Sequence, residues 1–209
     1  MKTLKPRSLA LTALLLCASG SLGFAQESSA TPEIAPGIHL PATGSIFVAE
    51  KIGTETTIKT VHATEILSNT HAGSNFARSI VYTGPHHTVE LDKTTSSIQL
   101  QENAPVLYVR LPSDDTDIAR NRLSLIHLRI GKATRICVEF TANVFGGSRK
   151  RVIEEVAITK EDVGTGTWLK ITPQKSLEAG EYAIAYMPKD KLLSPDTFYD
   201  FTIEGEPKK

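Results

Sequence analysis

Six histidines, two cysteines and a few close-set acidic pairs are the side chains of this 209-residue sequence whose types could support chemistry. His86-His87 with Glu90 is the tightest metal-like grouping. Neighbours on a strand point to opposite faces, and no helical spacing such as H-E-x-x-H accompanies them. The segment from Pro85 therefore reads as a turn entering a strand. Cys137 could act as a nucleophile only as a thiolate. It sits in the middle of an alternating run, where a cysteine packs as a small buried hydrophobe.

Other chemistries fail on spacing. Gly73-Ser74-Asn75 and Gly147-Ser148-Arg149 lack the G-x-S-x-G form of a nucleophile elbow, and Gly164-Thr165-Gly166-Thr167 lacks the lysine and βαβ setting of a phosphate loop. Asp114-Asp115 and Glu154-Glu155 are adjacent pairs, whereas a glycosidase needs two carboxyls facing each other across a cleft. Arg149-Lys150-Arg151 falls in an expected tight turn followed by those glutamates, which makes it a solvated turn. No catalytic, metal-ligating or cofactor-binding residue is assigned, and no cofactor is expected. The raw material for a hydrolase would have to come from separate loops: His71, His86, His87, Asp114 and Asp115.

The elements that would position such groups are mostly strands. Short β-branched runs broken by Gly, Pro, Asn and Asp extend from Ser45 onward, and helical periodicity is nearly absent. Strands are expected at 45–50, 56–62, 79–82, 88–91, 96–101, 106–111, 123–130, 134–142, 152–159, 167–172, 182–187 and 198–203. In the clearest unit, Ile126, Leu128 and Ile130 alternate with His127 and Arg129. Gly131-Lys132 turns the chain, and Ile136, Val138 and Phe140 then alternate with Cys137 and Glu139, which is a hairpin pattern. A second hairpin turns at Gly146-Gly147, giving a three-stranded meander. One short helix is expected within 113–122, capped by Ser113, Asp114 or Asp115. The Asn, Gly and Ser content of 62–76 favours a loop.

Residues 1–25 have the form of a secretory signal peptide: Lys2, Lys5 and Arg7, an apolar run from Leu9 to Ala18, and Gly23 and Ala25 before the cleavage point. That run is too short to span a bilayer, which takes about 20 residues. Leu14-Leu15-Leu16 before Cys17 is not a lipoprotein site, so no membrane anchor is expected. Cleavage removes three positive charges and leaves 20 basic and 23 acidic groups, a net charge of −3 that does not favour nucleic acid. Cys137 becomes the sole cysteine, and no internal disulfide can form. Residues 26–44, rich in Ser, Ala, Thr, Gly and Pro, read as a flexible, disordered leader, with Ile38 and Leu40 able to touch the domain at 45–204. Residues 205–209 form a tail.

The most distinctive pattern lies near the C-terminus: Leu177-Glu178-Ala179-Gly180-Glu181-Tyr182-Ala183, then Tyr199-Asp200-Phe201. It resembles the L-x-x-G-E-Y-A … Y-D-F ending of uncharacterised exported β-sandwich proteins of acidobacterial type, over roughly Val89 to Glu204. It departs from that ending at Ala179, where Pro is common, and at Thr202, where Gly is common. The resemblance implies fold and compartment and brings no activity with it. Gly180 is expected at positive φ before the last strands, and Tyr182 as a corner tyrosine whose hydroxyl returns to nearby backbone.

The sequence thus leads to an all-β, antiparallel β-sandwich, Ig-like in general architecture, secreted or periplasmic. The expected function is a non-catalytic binding or structural module whose partner is an envelope or extracellular protein or a glycan. The opposing expectation is a periplasmic hydrolase with a site built from loop His and Asp residues.

Overall fold

The structure is a computed structural model and describes residues 31–69, 86–141, 150–164 and 166–205. The signal-peptide residues, the expected strand at 79–82, His71, Ser74, Ser148 and the Gly146-Gly147 turn lie outside the described residues. Two sheets make up the described chain, with a small strand pair in front of them. The pair is β1 (Glu33–Ala35) with β2 (Ile38–His39).

The smaller sheet has five antiparallel strands: β3 (Ile46–Ile52), β4 (Glu55–Thr60), β9 (Val106–Arg110), β14 (Ile158–Val163) and β15 (Trp168–Pro173), in the order β14-β15-β9-β3-β4. The larger sheet runs β5 (Ala63–Thr64), β17 (Phe198–Ile203), β16 (Gly180–Tyr186), β10 (Leu123–Ile130), β11 (Thr134–Thr141), β7 (His86–Asp92) and β6 (Ile66–Asn69). Only Glu65 separates β5 from β6, which sit at opposite ends of that order, so the sheet is nearly closed upon itself. Three short strands complete it: β8 (Gln99–Leu100) pairs in parallel with β17, β12 (Lys150–Val152) pairs with β11, and β13 (Glu154–Val156) pairs with β10.

The expected sandwich is present, and alternation along the strands explains how it packs. Ile46, Val48, Leu107, Val109, Leu169 and Ile171 of the smaller sheet meet Leu123, Leu125, Tyr182, Ile184, Phe201 and Ile203 of the larger one. The intervening positions of the larger sheet bury a second cluster inside its own curl: Val89, Leu91, Ile126, Leu128, Val138, Phe140, Ala183, Ala185 and Phe198. Strands β10, β16 and β17 are thus buried on both faces, which is why they read as near-continuous apolar runs.

A third cluster extends the domain beyond its expected start. Phe47, Ala49, Tyr108 and Trp168 point out of the smaller sheet on its other side and are covered by Leu40 and Ile34. Leu40 is 2% exposed, so from Thr31 the segment read as a linker is packed onto the sandwich. Two further expectations change. The strand at 152–159 is three strands: it breaks at Ile153, where the chain passes from β11 to β10 within the larger sheet, and at Ala157, where it leaves that sheet for the smaller one. The loop expected from His62 holds β5 and β6, which pair with β17 and β7 at the two ends of the larger sheet.

The helix, α1 (Thr116–Arg122), forms where it was expected, but no side chain of the Ser113-Asp114-Asp115 run caps it. Instead Thr116 Oγ1 donates to Pro112 O. At its other end Lys160 Nζ donates to the carbonyls of Arg120 and Leu123, both at 2.7 Å, satisfying helix-terminal acceptors that have no intrahelical partner. Among the described residues no helix is long and apolar enough to cross a membrane.

Glu50 ties the smaller sheet to the loop after β8. It is 1% exposed, accepts from Lys59 Nζ at 2.7 Å, and takes the backbone N–H groups of Gln101 and Glu102. Burial alone would raise its pKa, but Lys59 and those N–H groups outweigh burial and hold it below 4.5. A carboxylate depressed in the folded state adds stability above its unfolded pKa and loses it as pH falls through the folded value. Melting temperature should therefore drop more steeply for wild type than for Glu50→Gln as pH is lowered below 4.5. Parallel curves would show that Glu50 carries no such linkage.

Candidate functional site

Among the described residues, three of the places that gather polar side chains differ in what those side chains already bind. The first is sealed inside the larger sheet. Arg135, Glu181 and Asp200 are 2%, 2% and 3% exposed and project from β11, β16 and β17 onto the interior face. Arg135 Nη1 donates to Asp200 Oδ2 and, at 3.2 Å, to Glu181 Oε2. Its remaining N–H groups reach the carbonyls of Lys93 at 3.2 Å and Asp92 at 3.0 Å. Ser96 completes the cluster from the loop after β7: its N–H donates to Glu181 Oε2 at 3.0 Å, and its hydroxyl donates to the Asp200 carbonyl at 3.0 Å. Thr64 donates to Asp200 Oδ1 and Thr202 to Glu181 Oε1. Lys93 adopts φ 65°, the sole positive-φ non-glycine among the described residues. That conformation costs about 1–2 kcal/mol and turns the loop in which the Lys93 carbonyl accepts from Arg135.

The second place is a fork. β10 and β11 pair only at Arg129↔Ile136 and Ile130↔Arg135, next to their turn. Beyond that they part: β10 takes β13 and β11 takes β12 as neighbours. A cleft of about 120 Å3 lies in the fork, lined by His127, Arg129, Ile136, Cys137, Glu139, Val152, Ile153 and Glu154. Its charged groups are paired with each other. His127 Nδ1 is 2.6 Å from Glu154 Oε2, Arg129 donates to Glu139, and His86 Nδ1 lies 2.9 Å from Glu139 Oε1.

Cys137 faces this fork from a β-bulge. Ile136 pairs with Glu90 and Val138 with Val89, so Cys137 is the extra residue between them. The bulge reverses the phase of the strand. Arg135 and Cys137 point inward before it, Val138 and Phe140 after it, and Ile136 is left half-buried instead of joining Val138 and Phe140 as the alternation implied. Burial drives the thiol far above its ordinary pKa, the nearby Arg135 notwithstanding, so at neutral pH it is protonated and unreactive.

The third place is open. A cleft of about 390 Å3 is lined by Thr43, Gly44, Ser45, Thr60, Val61, His62, Ala63 and Tyr199. These residues come from the approach to β3, the end of β4 with its connection into β5, and the start of β17. Tyr199 and Tyr186 are partly buried and pack against the core between the sheets. Burial, together with the Tyr199 phenol, pushes Tyr186 up to about 12.

The loop residues offered for hydrolase chemistry do not converge in the described part. His86 and His87 are consecutive on β7 and face opposite ways: His86 sits beside Glu139, while His87 meets Phe140 and, at 3.3 Å, Ser68. Asp114 and Asp115 precede α1, which packs on β16, and β10 and β11 separate β16 from β7 in the sheet. Gly164 and Gly166, with φ of 66° and 85°, lie in the connection between the paired strands β14 and β15.

The C-terminal pattern takes on a physical meaning. Its Glu181 and Asp200 are the two carboxylates that hold Arg135, and Tyr182 is the expected corner, its hydroxyl donating to Glu178 O at 3.0 Å. Gly180 was expected at positive φ; it is instead the first residue of β16, paired with Ile203 and free of left-handed backbone. Glycine is favoured there by close approach, since a Cβ would lie 3.0 Å from His127 Nε2. Sequence reasoning missed Arg135, because the bulge at Cys137 puts it on the phase opposite to the Ile136, Val138 and Phe140 alternation from which the inward face was read. No signal joined Thr43, Thr60, His62 and Tyr199, which come from three separate segments.

Cys137 offers a direct check on the fork. In the folded protein it should resist alkylation by iodoacetamide, and it should be labelled at the denaturant concentration at which the β signal is lost. Rapid labelling of the native protein would contradict both its burial and its raised pKa.

No protein family, curated protein or solved structure matches the chain.

Proposed function

We propose that this chain is an exported, non-catalytic binding module whose ligand face is the open cleft around Tyr199. The observation that carries the reading is a contrast in how polar groups are used. Arg135, Glu181 and Asp200 satisfy one another out of solvent, and His127, Arg129, Glu139 and Glu154 are paired around the fork. Around the open cleft, the side chains of Thr43, Ser45, Thr60, His62 and Tyr199 make no hydrogen bond to other described residues. Groups of the first kind hold a fold; groups of the second kind are available to a ligand. The basic, apolar and small-residue succession of residues 1–25 supports export.

Two readouts on one preparation test the reading. Protein recovered outside the cytoplasm of an expressing bacterium should begin at Gln26, and the purified material should turn over no chromogenic ester, phosphate, peptide or glycoside. A chain that stays in the cytoplasm and begins at Met1 would contradict export. Turnover that co-purifies with the folded protein and disappears in His127→Ala or Tyr199→Ala would contradict a non-catalytic role.

A further inference from the structure

The open cleft also carries a chemical identity. None of its lining residues is acidic, lysine or arginine, so nothing there would compensate the lost solvation of a charged ligand. What it presents is hydroxyl: Thr43, Ser45 and Thr60 on the side of the smaller sheet, and Tyr199 on the larger one, with the His62 imidazole between. A hydroxyl both donates and accepts, so this set suits a ligand bearing hydroxyls of its own. The one aromatic ring is rigid. Tyr199 pairs with Ile184 on one side and Ala63 on the other within the sheet and leans on the core, leaving it half-buried.

The remaining lining is small. Gly44 holds φ 101°, and a Cβ added there would come within 2.9 Å of the Phe47 ring. Glycine therefore keeps the chain turned and close at this rim, and the cross-strand neighbour of Tyr199 is the small, exposed Ala63. An aromatic face beside several neutral hydroxyls, with no acidic, lysine or arginine side chain and room for a small ring, complements a molecule with one C–H face and a hydroxylated edge.

We infer that the cleft bounded by Thr43, Thr60, His62 and Tyr199 binds a neutral saccharide unit, its apolar face on the Tyr199 ring and its hydroxyls to Thr43, Ser45 and Thr60. This rests on the binding-module reading of the same cleft. Selectivity against uronic or sulfated sugars follows from the lack of a lysine or arginine in the lining to meet them. Thr43 and His62 are exposed and Tyr199 is half-buried, so a sugar at the end of a chain or in its middle can enter from solvent.

Calorimetric titration of the purified protein with neutral tetrasaccharides of glucose, xylose and N-acetylglucosamine, with tetragalacturonate as the charged counterpart, tests the assignment. At least one neutral sugar should bind and the charged one should not. Tyr199→Ala should weaken binding roughly tenfold, Tyr199→Phe should keep most of it, and Thr60→Val should weaken it severalfold. Circular dichroism on each variant establishes that it is folded, and because Tyr199 also supports the core, Thr60→Val provides the second, non-core variant. Absence of binding by every neutral sugar, or binding that Tyr199→Ala and Thr60→Val both leave unchanged, would overturn the inference. Tight binding of tetragalacturonate in the same cleft would overturn the saccharide class while leaving the module reading standing. Hydrolysis of a bound neutral sugar would do the reverse.

Discussion

A guanidinium buried to 2% exposure must be matched where it lies, because an uncompensated charge in a protein interior costs several kcal/mol. Arg135 meets that demand with partners drawn from across the larger sheet. Asp200 and Glu181 come from β17 and β16, and the carbonyls of Asp92 and Lys93 come from the end of β7. Ser96 then reaches both carboxylate-bearing strands from the loop that follows, and Thr64 adds β5 to the set. One side chain therefore fixes how five separated stretches meet, at the end of a sheet that curls until β5 and β6 nearly join. Ion clusters of this kind do not need to add net stability. What they impose is geometry, since few other arrangements of these strands would leave the charges matched.

That geometry sets the two surfaces described above. The bulge at Cys137 lets Arg135 point inward at the start of β11 while Val138 and Phe140 point inward further along, so one strand serves the ion cluster and the apolar interior in turn. It coincides with the parting of β10 and β11 that opens the fork. At the other side, Asp200 holds β17 from within the curl through Thr64 and Arg135, and the adjacent Tyr199 lies on the opposite face of the strand, against the core between the sheets and lining the open cleft. The buried charge and the aromatic ring are consecutive residues on one strand. The placement of the ring is thus a consequence of the cluster behind it.

Much of this was legible in the sequence, and the failures have particular causes. β10 and β17 fall at 123–130 and 198–203 as read, because strong apolar content and flanking turns bound them. The phase of β11 was misread at Ile136 because a bulge shifts a period-two pattern by one and leaves no composition signal of its own. Gly180 was assigned to the wrong cause. A glycine demanded by a neighbouring side chain looks the same in sequence as one demanded by backbone torsion, and here the neighbour is His127, distant in sequence and adjacent only in the sheet. β5 and β6 were read as loop because the Asn, Gly and Ser content of 62–76 outweighed the short apolar pair Ile66-Leu67, although these two strands end the sheet that nearly closes. The open cleft depends on three segments meeting, which no local pattern encodes.

The central claim is that matched charge at Arg135 governs the larger sheet, and equilibrium denaturation of two variants tests it most directly. Arg135→Met alone strands two buried carboxylates and should lower unfolding free energy by about 3–5 kcal/mol. The same substitution made together with Glu181→Gln and Asp200→Asn removes those stranded charges and should recover a large part of the loss. A single variant within about 0.5 kcal/mol of wild type, the range of an ordinary surface substitution, or a triple variant weaker than the single one, would contradict the account.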